Sequence, residues 1–157
     1  MQPFVRQSIG LILLLLCSGL WGLPPTAAGA ELAISETTEL DFGAVVDRNG
    51  AVTIGLSDNV IFDPFGIHVG GTVSTGVYRI TGDPFATFSL SVVGTSIGGL
   101  SIDSFNTSEG TPPLLNVALG ITGSLDLRLS GRVTVNSAQA NPGLNQPLFY
   151  TISVNYN

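Results

Sequence analysis

The residues that could support nucleophilic catalysis are one serine, one histidine and one aspartate. Residues 94–98 read Gly-Thr-Ser-Ile-Gly, the spacing of a hydrolase nucleophile elbow, in which a strained strand-to-helix turn exposes the serine hydroxyl beside an oxyanion hole. His68 and Asp83 could complete a triad around Ser96, because triads are recognised by geometry and not by chain order. However, Ser96 lies in a Gly-rich segment of an otherwise strand-like chain, and the one histidine precedes it, whereas the elbow fold places histidine last. We therefore expect Ser96 to be a turn residue and the protein not to be an enzyme.

Carboxylates are the other groups that could do chemistry. Residues 31–157 hold eleven Asp and Glu but one His and no Cys, so the ligand sets of zinc and iron–sulfur sites are missing. The acidic residues do not follow the alternate spacing of a calcium loop. Two acids could still converge from distant strands as a glycosidase pair, although Asp63-Pro64 and Asp83-Pro84 are typical of turns. We expect no metal, no cofactor and no catalytic residue.

The charge balance indicates which kinds of partner the protein is unsuited to bind. Residues 31–157 carry four Arg and no Lys, for a formal charge of −7. Proteins that bind nucleic acid neutralise phosphates with Lys and Arg, so this composition argues against a nucleic-acid partner. The same negative charge disfavours an anionic lipid surface.

The first thirty residues have the pattern of an export signal. Arg6 gives a short positive start, residues 9–23 form an almost unbroken apolar run, and Ala-Gly-Ala at residues 28–30 supplies the small residues of a signal peptidase site. A membrane anchor is the alternative, but this run is shorter than the roughly 20 residues that span a bilayer. We expect a signal peptide over residues 1–30 and export of a single domain, residues 31–157, to the periplasm, the cell surface or the medium, without stable membrane insertion.

Short alternating segments between Gly and Pro predict an all-β fold for the exported chain. Apolar and polar residues alternate strictly over residues 125–129, the period of a half-buried strand. Asn49-Gly50 tolerates positive φ at both central positions of a tight turn, so we expect a hairpin there. Residues 114–121 fit a buried strand better than a helix because proline precedes them and their length suits a strand. With about eight strands at sandwich-like spacing, we predict a single antiparallel β-sandwich.

Both ends of the exported chain alternate in the way that strand pairing between subunits requires. An incomplete sandwich exposes an edge and a groove that an extended segment of another subunit can fill. The backbone of that segment supplies hydrogen bonds, and its alternate apolar side chains set the register. The alternative is that both ends are the first and last strands of their own sandwich. The residues that we predict to pair or assemble are Leu32, Ile34, Leu40, Leu148, Tyr150, Ile152, Val154 and Tyr156.

Three segments resemble a family of secreted bacterial proteins known as domain of unknown function 4402. They are Leu-Asp-Phe-Gly at residues 40–43, Tyr-Arg-Ile-Thr-Gly at residues 78–82, and Tyr-Thr-Ile-Ser-Val-Asn-Tyr-Asn at residues 150–157. The similarity covers nearly all of residues 31–157, and the closing Val-Asn-Tyr-Asn is its most specific part. That family has no assigned chemistry, so the resemblance implies an exported domain and no particular activity.

The alternating C-terminal strand is also similar to that of fimbrial subunits assembled by a chaperone and an usher. Such subunits are Ig-like sandwiches of similar size with an N-terminal donor segment, and a periplasmic chaperone reads a penultimate aromatic such as Tyr156. Two departures are the short candidate donor, residues 31–38, in which Glu36 interrupts the apolar alternation, and the lack of the disulfide common in these subunits. The resemblance implies that the predicted β-sandwich is Ig-like and pilin-like, and that copies of the same chain and a periplasmic chaperone are its partners.

Two functions follow as hypotheses. The first is a secreted, non-enzymatic structural subunit of a bacterial surface or fimbria-like assembly, which polymerises by β-strand complementation through its termini. The alternative is a self-contained extracellular binding or adhesion module for carbohydrate or a cell-surface partner, with Phe62, Phe65, Tyr78 and Phe85 as an aromatic platform. Phe residues in such apolar runs are more often packed in a core, and we expect the three Phe to be buried.

Overall fold

The computed structural model describes residues 29–140 and 148–157, and in these residues it contains strands and no helix. A helix long and apolar enough to cross a membrane is therefore not found among them. The signal peptide predicted over residues 1–30 falls, up to residue 28, outside the described residues. The strands are β1 (Ala33–Thr38), β2 (Ala44–Val45), β3 (Gly50–Ile54), β4 (Val60–Phe62), β5 (His68–Gly70), β6 (Gly76–Thr81), β7 (Thr87–Gly94), β8 (Ser96–Ile97), β9 (Leu100–Thr107), β10 (Leu114–Ala118), β11 (Ser124–Val135) and β12 (Tyr150–Tyr156).

The larger sheet has seven antiparallel strands and is built around β11. Leu129 of β11 pairs with β6 on one side and with β9 on the other, and Val133 pairs with β3 and, opposite it, with β9. Consequently β6 and β3 share one edge of β11, and β9 occupies the other edge. β1 extends the sheet beyond β6, β4 extends it beyond β3, and β8 pairs with β9. β1 is thus a terminal strand of this sheet.

The smaller sheet has three antiparallel strands with β7 in the middle. Leu90 of β7 pairs with Leu114 of β10 on one side and with Val154 of β12 on the other. β2 and β5 form a separate two-stranded sheet. The C-terminal strand β12 is therefore a terminal strand of the smaller sheet, as β1 is of the larger one.

The core lies between the two sheets, because the alternation of each strand turns its apolar side chains to that side. In β7, Phe88 and Leu90 are buried, and in β11, Leu127 and Leu129 are buried while Asp126, which precedes Leu127, is exposed. Fully burying a side chain of this kind contributes roughly 1.5–3 kcal/mol, whereas an exposed ion pair contributes about 1 kcal/mol or less. Apolar burial between the sheets therefore dominates the stability of the fold.

The predicted all-β sandwich is confirmed. The described residues contain twelve strands, more than the roughly eight expected from the sequence, because four of them have only two or three residues. The alternating residues 125–129 lie within β11, and residues 114–118 form the strand β10 that was favoured over a helix.

The hairpin predicted at Asn49-Gly50 is wrong. β2, which precedes it, pairs with β5, whereas β3, which follows it, pairs with β4 and β11 of the larger sheet. The Asn49 side-chain oxygen accepts hydrogen bonds from the N–H and the hydroxyl of Ser137, at 2.8 and 3.1 Å. A Cβ on Gly50 would lie 2.9 Å from Ile67. Contacts with distant segments therefore hold this dipeptide, and they override its local turn preference.

Candidate functional site

A groove of about 1480 Å³ opens between the ends of the two sheets. Ile34 and Glu36 of β1 line one side, and Tyr150 and Ile152 of β12 line the other. Within the described residues β1 pairs only with β6, and β12 pairs only with β7. The groove is thus flanked by two strands that each have an unpaired edge in this part of the chain.

The floor of the groove is apolar. It is formed by Leu100 and Ile102 of β9 and by Val133 and Val135 of β11, all of which belong to the core or pack against it. Ile102, Val133 and Val135 are each at most 4% exposed. A side chain that enters the groove therefore meets the hydrophobic core directly.

The rim of the groove is acidic. Four exposed carboxylate side chains line it, those of Glu36, Glu39, Asp41 and Asp47. No Arg, Lys or His lines the groove among the residues that the structure describes, and residues 141–147 contain no charged residue in the sequence. Clustered charges of one sign create a local potential that attracts the opposite sign. The groove therefore combines an apolar floor with a negative rim.

Two tyrosines connect the sheets at the groove. The hydroxyl of Tyr78 in β6 is hydrogen-bonded to that of Tyr150 in β12, and their rings meet edge to face with centroids 6.5 Å apart. Tyr78 donates its hydroxyl proton to Glu36 Oε1 at 2.8 Å, so Tyr150 is the donor to Tyr78, since a phenol has one proton to give. Glu36 lies directly opposite Tyr78 in the β1–β6 ladder. A hydrogen-bonded link therefore runs from β12 through β6 to β1.

Burial protects this link against ionisation. Burial raises the pKa of Tyr78, and the hydrogen bond that its hydroxyl donates to Glu36 raises it further. Burial also raises the pKa of Tyr150. A phenol away from water resists ionisation because its charged form loses hydration. Both hydroxyls therefore keep their protons at a pH where exposed tyrosine ionises.

The structure brings together most of the residues that the sequence predicted for assembly. Leu32 and Val154 pack against the core outside the groove. Tyr156, at the far end of β12, is 40% exposed, and its hydroxyl donates to the Ala30 carbonyl and accepts from the Asp83 N–H, both at 2.8 Å. The remaining five line the groove, namely Ile34, Leu40, Leu148, Tyr150 and Ile152.

Sequence reasoning missed the polar half of the groove. Tyr78 was considered only for an aromatic platform, yet it is 6% exposed and holds the link between the sheets. The acidic rim had a signal in the sequence, because five of the eleven Asp and Glu residues fall within residues 31–47. That clustering was not interpreted.

Of the three residues considered for catalysis, Ser96 and Asp83 are hydrogen-bonded elsewhere, and His68 Nε2 is buried without a hydrogen-bond partner among the described residues. Ser96 donates its hydroxyl to the Leu100 carbonyl at 3.1 Å, and Asp83 accepts from the Ala30 N–H at 2.7 Å. No hydrogen bond joins Ser96, His68 and Asp83 within residues 29–140 and 148–157. Ser96 is not in a turn as expected, because residues 96–97 form β8, which pairs with β9.

The four aromatic residues of the candidate platform divide into two groups. Tyr78 is buried, whereas Phe62, Phe65 and Phe85, which were expected in the core, are 51%, 58% and 68% exposed. Phe62 ends the edge strand β4, and Phe65 and Phe85 lie in connections between strands, where the sheets do not cover them. The expectation of burial is therefore wrong for these three.

Family models, curated proteins and solved structures were compared with the chain, and none matches it. The two family resemblances therefore stay predictions from the segments that carry them.

Proposed function

We propose that this protein is an exported, non-enzymatic structural subunit of a bacterial surface or fimbria-like assembly, and that it assembles by β-strand complementation. In this proposal an extended segment of a neighbouring subunit fills the groove between β1 and β12. The observation that carries the proposal is the groove itself, since two strands whose second edges are unpaired in the described part of the chain flank a floor made of core residues.

The groove has the two properties that strand complementation uses. An unpaired edge presents a row of backbone N–H and C=O groups, which is a template for pairing with another chain. Between the edges, the apolar floor can accept alternate side chains of the incoming strand, and these set its register. β12 has seven residues, so a strand lying along it would extend for roughly 23 Å, at about 3.3 Å per residue.

In this proposal β1 and β12 receive the incoming segment and do not donate it. β1 is already paired with β6 in its own chain, and β12 is already paired with β7. Residues 31–38 could donate a strand only by leaving β6, as in strand exchange between copies. A periplasmic chaperone would cover the groove before a neighbouring subunit arrives, because an open apolar groove with two edges favours aggregation.

The proposal can be tested with the exported, processed form of the protein. Its size by light scattering and its thermal unfolding are measured with and without a peptide of about nine residues, a typical strand length, that alternates Ile and Ser. We expect either oligomers of the protein alone or a higher Tm with the peptide. Ile152→Asp, which places a charge in the groove, should abolish either effect, whereas Ser153→Asp, on the opposite face of β12, should preserve it. A monomer whose unfolding the peptide does not change would contradict the proposal.

A second candidate function, an adhesion module, rests on a stretch of exposed apolar side chains. Phe62 and Phe65 are more than half exposed, and Ile61 and Val69 in the same stretch are 61% and 59% exposed. Large apolar side chains that gather at a surface are typical of contacts with a protein or a ligand. This stretch lies outside the groove, so the adhesion function would not depend on strand complementation.

A glycan array tests the second candidate. If the native protein binds a glycan and Phe65→Ala does not, although its thermal unfolding is unchanged, the adhesion module would be supported. Phe85→Ala is the matched control, because Phe85 is also more than half exposed but lies in a different connection. No binding by the native protein to any glycan would contradict a carbohydrate ligand.

A further inference from the structure

We infer that the segment that fills the groove is basic and belongs to a different protein: an extended strand in which apolar residues alternate with Lys or Arg. This inference rests on the proposed strand complementation and adds the chemistry of the partner. It follows from the lining of the groove, where four carboxylates and no cationic side chain are found among the described residues. Charge complementarity selects partners and speeds their encounter.

The four carboxylates of the rim come from one short stretch of the chain, residues 36–47. Glu36 is in β1, Glu39 and Asp41 are in the connection from β1 to β2, and Asp47 follows β2. An incoming strand would therefore meet carboxylates next to its polar side chains while its apolar side chains enter the floor. Lys and Arg suit this position because their long stems cover apolar surface while their charged ends reach the rim.

Two of the four carboxylates have no internal role in the part of the chain that the structure describes. Glu36 accepts the hydroxyl proton of Tyr78, and Asp41 Oδ1 accepts the Gly43 N–H at 2.8 Å. Glu39 and Asp47 make no side-chain hydrogen bond and no ion pair within residues 29–140 and 148–157. Carboxylates without an internal partner at the rim of a groove are free to bind a cation from another chain.

This chain does not offer a basic strand of its own. The candidate donor, residues 31–38, contains Glu31 and Glu36 and no cationic residue. A second copy would therefore add two carboxylates to a groove that already has four. Three of the four Arg of the exported chain are engaged in ion pairs, Arg79 with Asp126, Arg128 with Asp58 and Arg132 with Asp103. Arg48 lies in the connection between β2 and β3.

The test uses three peptides with the same alternating Ile positions and with Lys, Ser or Glu at the positions between them. Binding of each to the exported, processed protein is measured by titration calorimetry. Several exposed charge pairs together should make the Lys peptide bind about tenfold tighter than the Ser peptide, and the Glu peptide should bind more weakly than either. At about 1 M salt, where the screening length is about 3 Å, the three affinities should converge.

Two variants test whether the carboxylates at the rim cause the preference for the Lys peptide. The double variant Glu39→Gln, Asp47→Asn should lose most of the preference for the Lys peptide over the Ser peptide. Glu109→Gln is the control, because Glu109 is exposed and lies outside the groove, and it should keep the preference.

The outcomes separate this inference from the proposal on which it rests. Equal binding of the three peptides would overturn the basic partner and leave strand complementation in place. If a peptide of residues 31–38 binds as tightly as the Lys peptide, the partner is a second copy of this chain, and the inference of a different, basic partner is overturned. If no peptide binds, strand complementation and the basic partner both fail.

Discussion

The hydroxyl of Tyr78 and the hydroxyl of Tyr150 form a hydrogen bond that joins the larger sheet to the smaller one. The two residues are 72 positions apart in the chain, and they belong to β6 and β12, which are not neighbours in any sheet. Tyr78 also donates to Glu36 of β1. The bond therefore sets the distance between the two strands that flank the groove.

Removing either hydroxyl should destabilise the fold by different amounts. Tyr150→Phe removes one hydrogen bond, at a cost of about 1 kcal/mol. Tyr78→Phe should cost more, about 2 kcal/mol, because it leaves both the Tyr150 hydroxyl and the Glu36 carboxylate without this partner. Urea unfolding of the two variants and the native protein measures the difference. Equal stability of all three proteins would show that the link contributes nothing to the fold.

Alkaline conditions should weaken the fold through the same tyrosines. Burial raises the pKa of Tyr78 and of Tyr150, whereas tyrosine in an unfolded chain ionises near pH 10. The native state therefore binds more protons than the unfolded state above that pH, and the free energy of unfolding falls as the pH rises. Unfolding at a series of pH values from 7 to about 11 should show the fall, and the fall should be smaller in Tyr78→Phe.

Acid should weaken the fold through Asp58. The Thr75 N–H, which donates to Asp58 Oδ1 at 2.7 Å, holds the pKa of that carboxyl below its usual value, and Arg128 nearby lowers it further. A carboxyl with a depressed native pKa contributes stability above its unfolded pKa and loses that contribution as the pH falls through the native value. In Asp58→Asn the stability should therefore depend less on pH below about 4. Glu109→Gln, an exposed carboxyl in another loop, is the control, and an unchanged acid profile in Asp58→Asn would contradict this role.

A buried residue of β7 and its outward neighbour should differ sharply in their effect on stability. Phe88 is fully buried between the sheets, whereas Ser89 points away from the core and contacts the backbone of Asn155. Phe88→Ala should cost about 3–5 kcal/mol because it leaves a cavity, and Ser89→Ala should cost about 1 kcal/mol or less. Chemical unfolding of both variants checks this, and similar losses would contradict the assignment of faces in β7.

The strands were predictable because alternation is a local property of the chain. The residues from 125 to 129 and from 150 to 156 show which side chains share a face, and the structure places them accordingly in β11 and β12. The same pattern does not show which strands are neighbours. For that reason the hairpin predicted at Asn49-Gly50 failed, since Ser137, which binds Asn49, lies 88 positions away.

The groove was only partly predictable for a related reason. Its apolar walls follow from alternation near the two ends of the chain, which is how Ile34 and Ile152 were found. Its polar half depends on a contact between Tyr78 and Tyr150 from different sheets, and no local pattern indicates that contact. The exposure of Phe62 and Phe65 was unpredictable for the same reason, because the sequence around an apolar residue does not show whether another strand covers it.

The close approach of β7 and β9 at Gly94 should be necessary for both stability and the groove. Gly94 is opposite Tyr150 in the β7–β12 ladder, and a Cβ added to it would overlap the carbonyl oxygen of Ile102, which is part of the groove floor. Gly94→Ala should push β9 away from β7 and cost about 1–3 kcal/mol, the usual range for an overpacked core.

The shift would also move the floor of the groove relative to its β12 wall. Peptide binding by Gly94→Ala should therefore weaken at a temperature where the variant is still folded. Ser91→Ala in the same strand, on the face away from the core, should change stability by about 0.5 kcal/mol or less and leave binding intact. Weakened binding in Ser91→Ala, or native binding in Gly94→Ala, would show that the spacing between β7 and β9 does not set the shape of the groove.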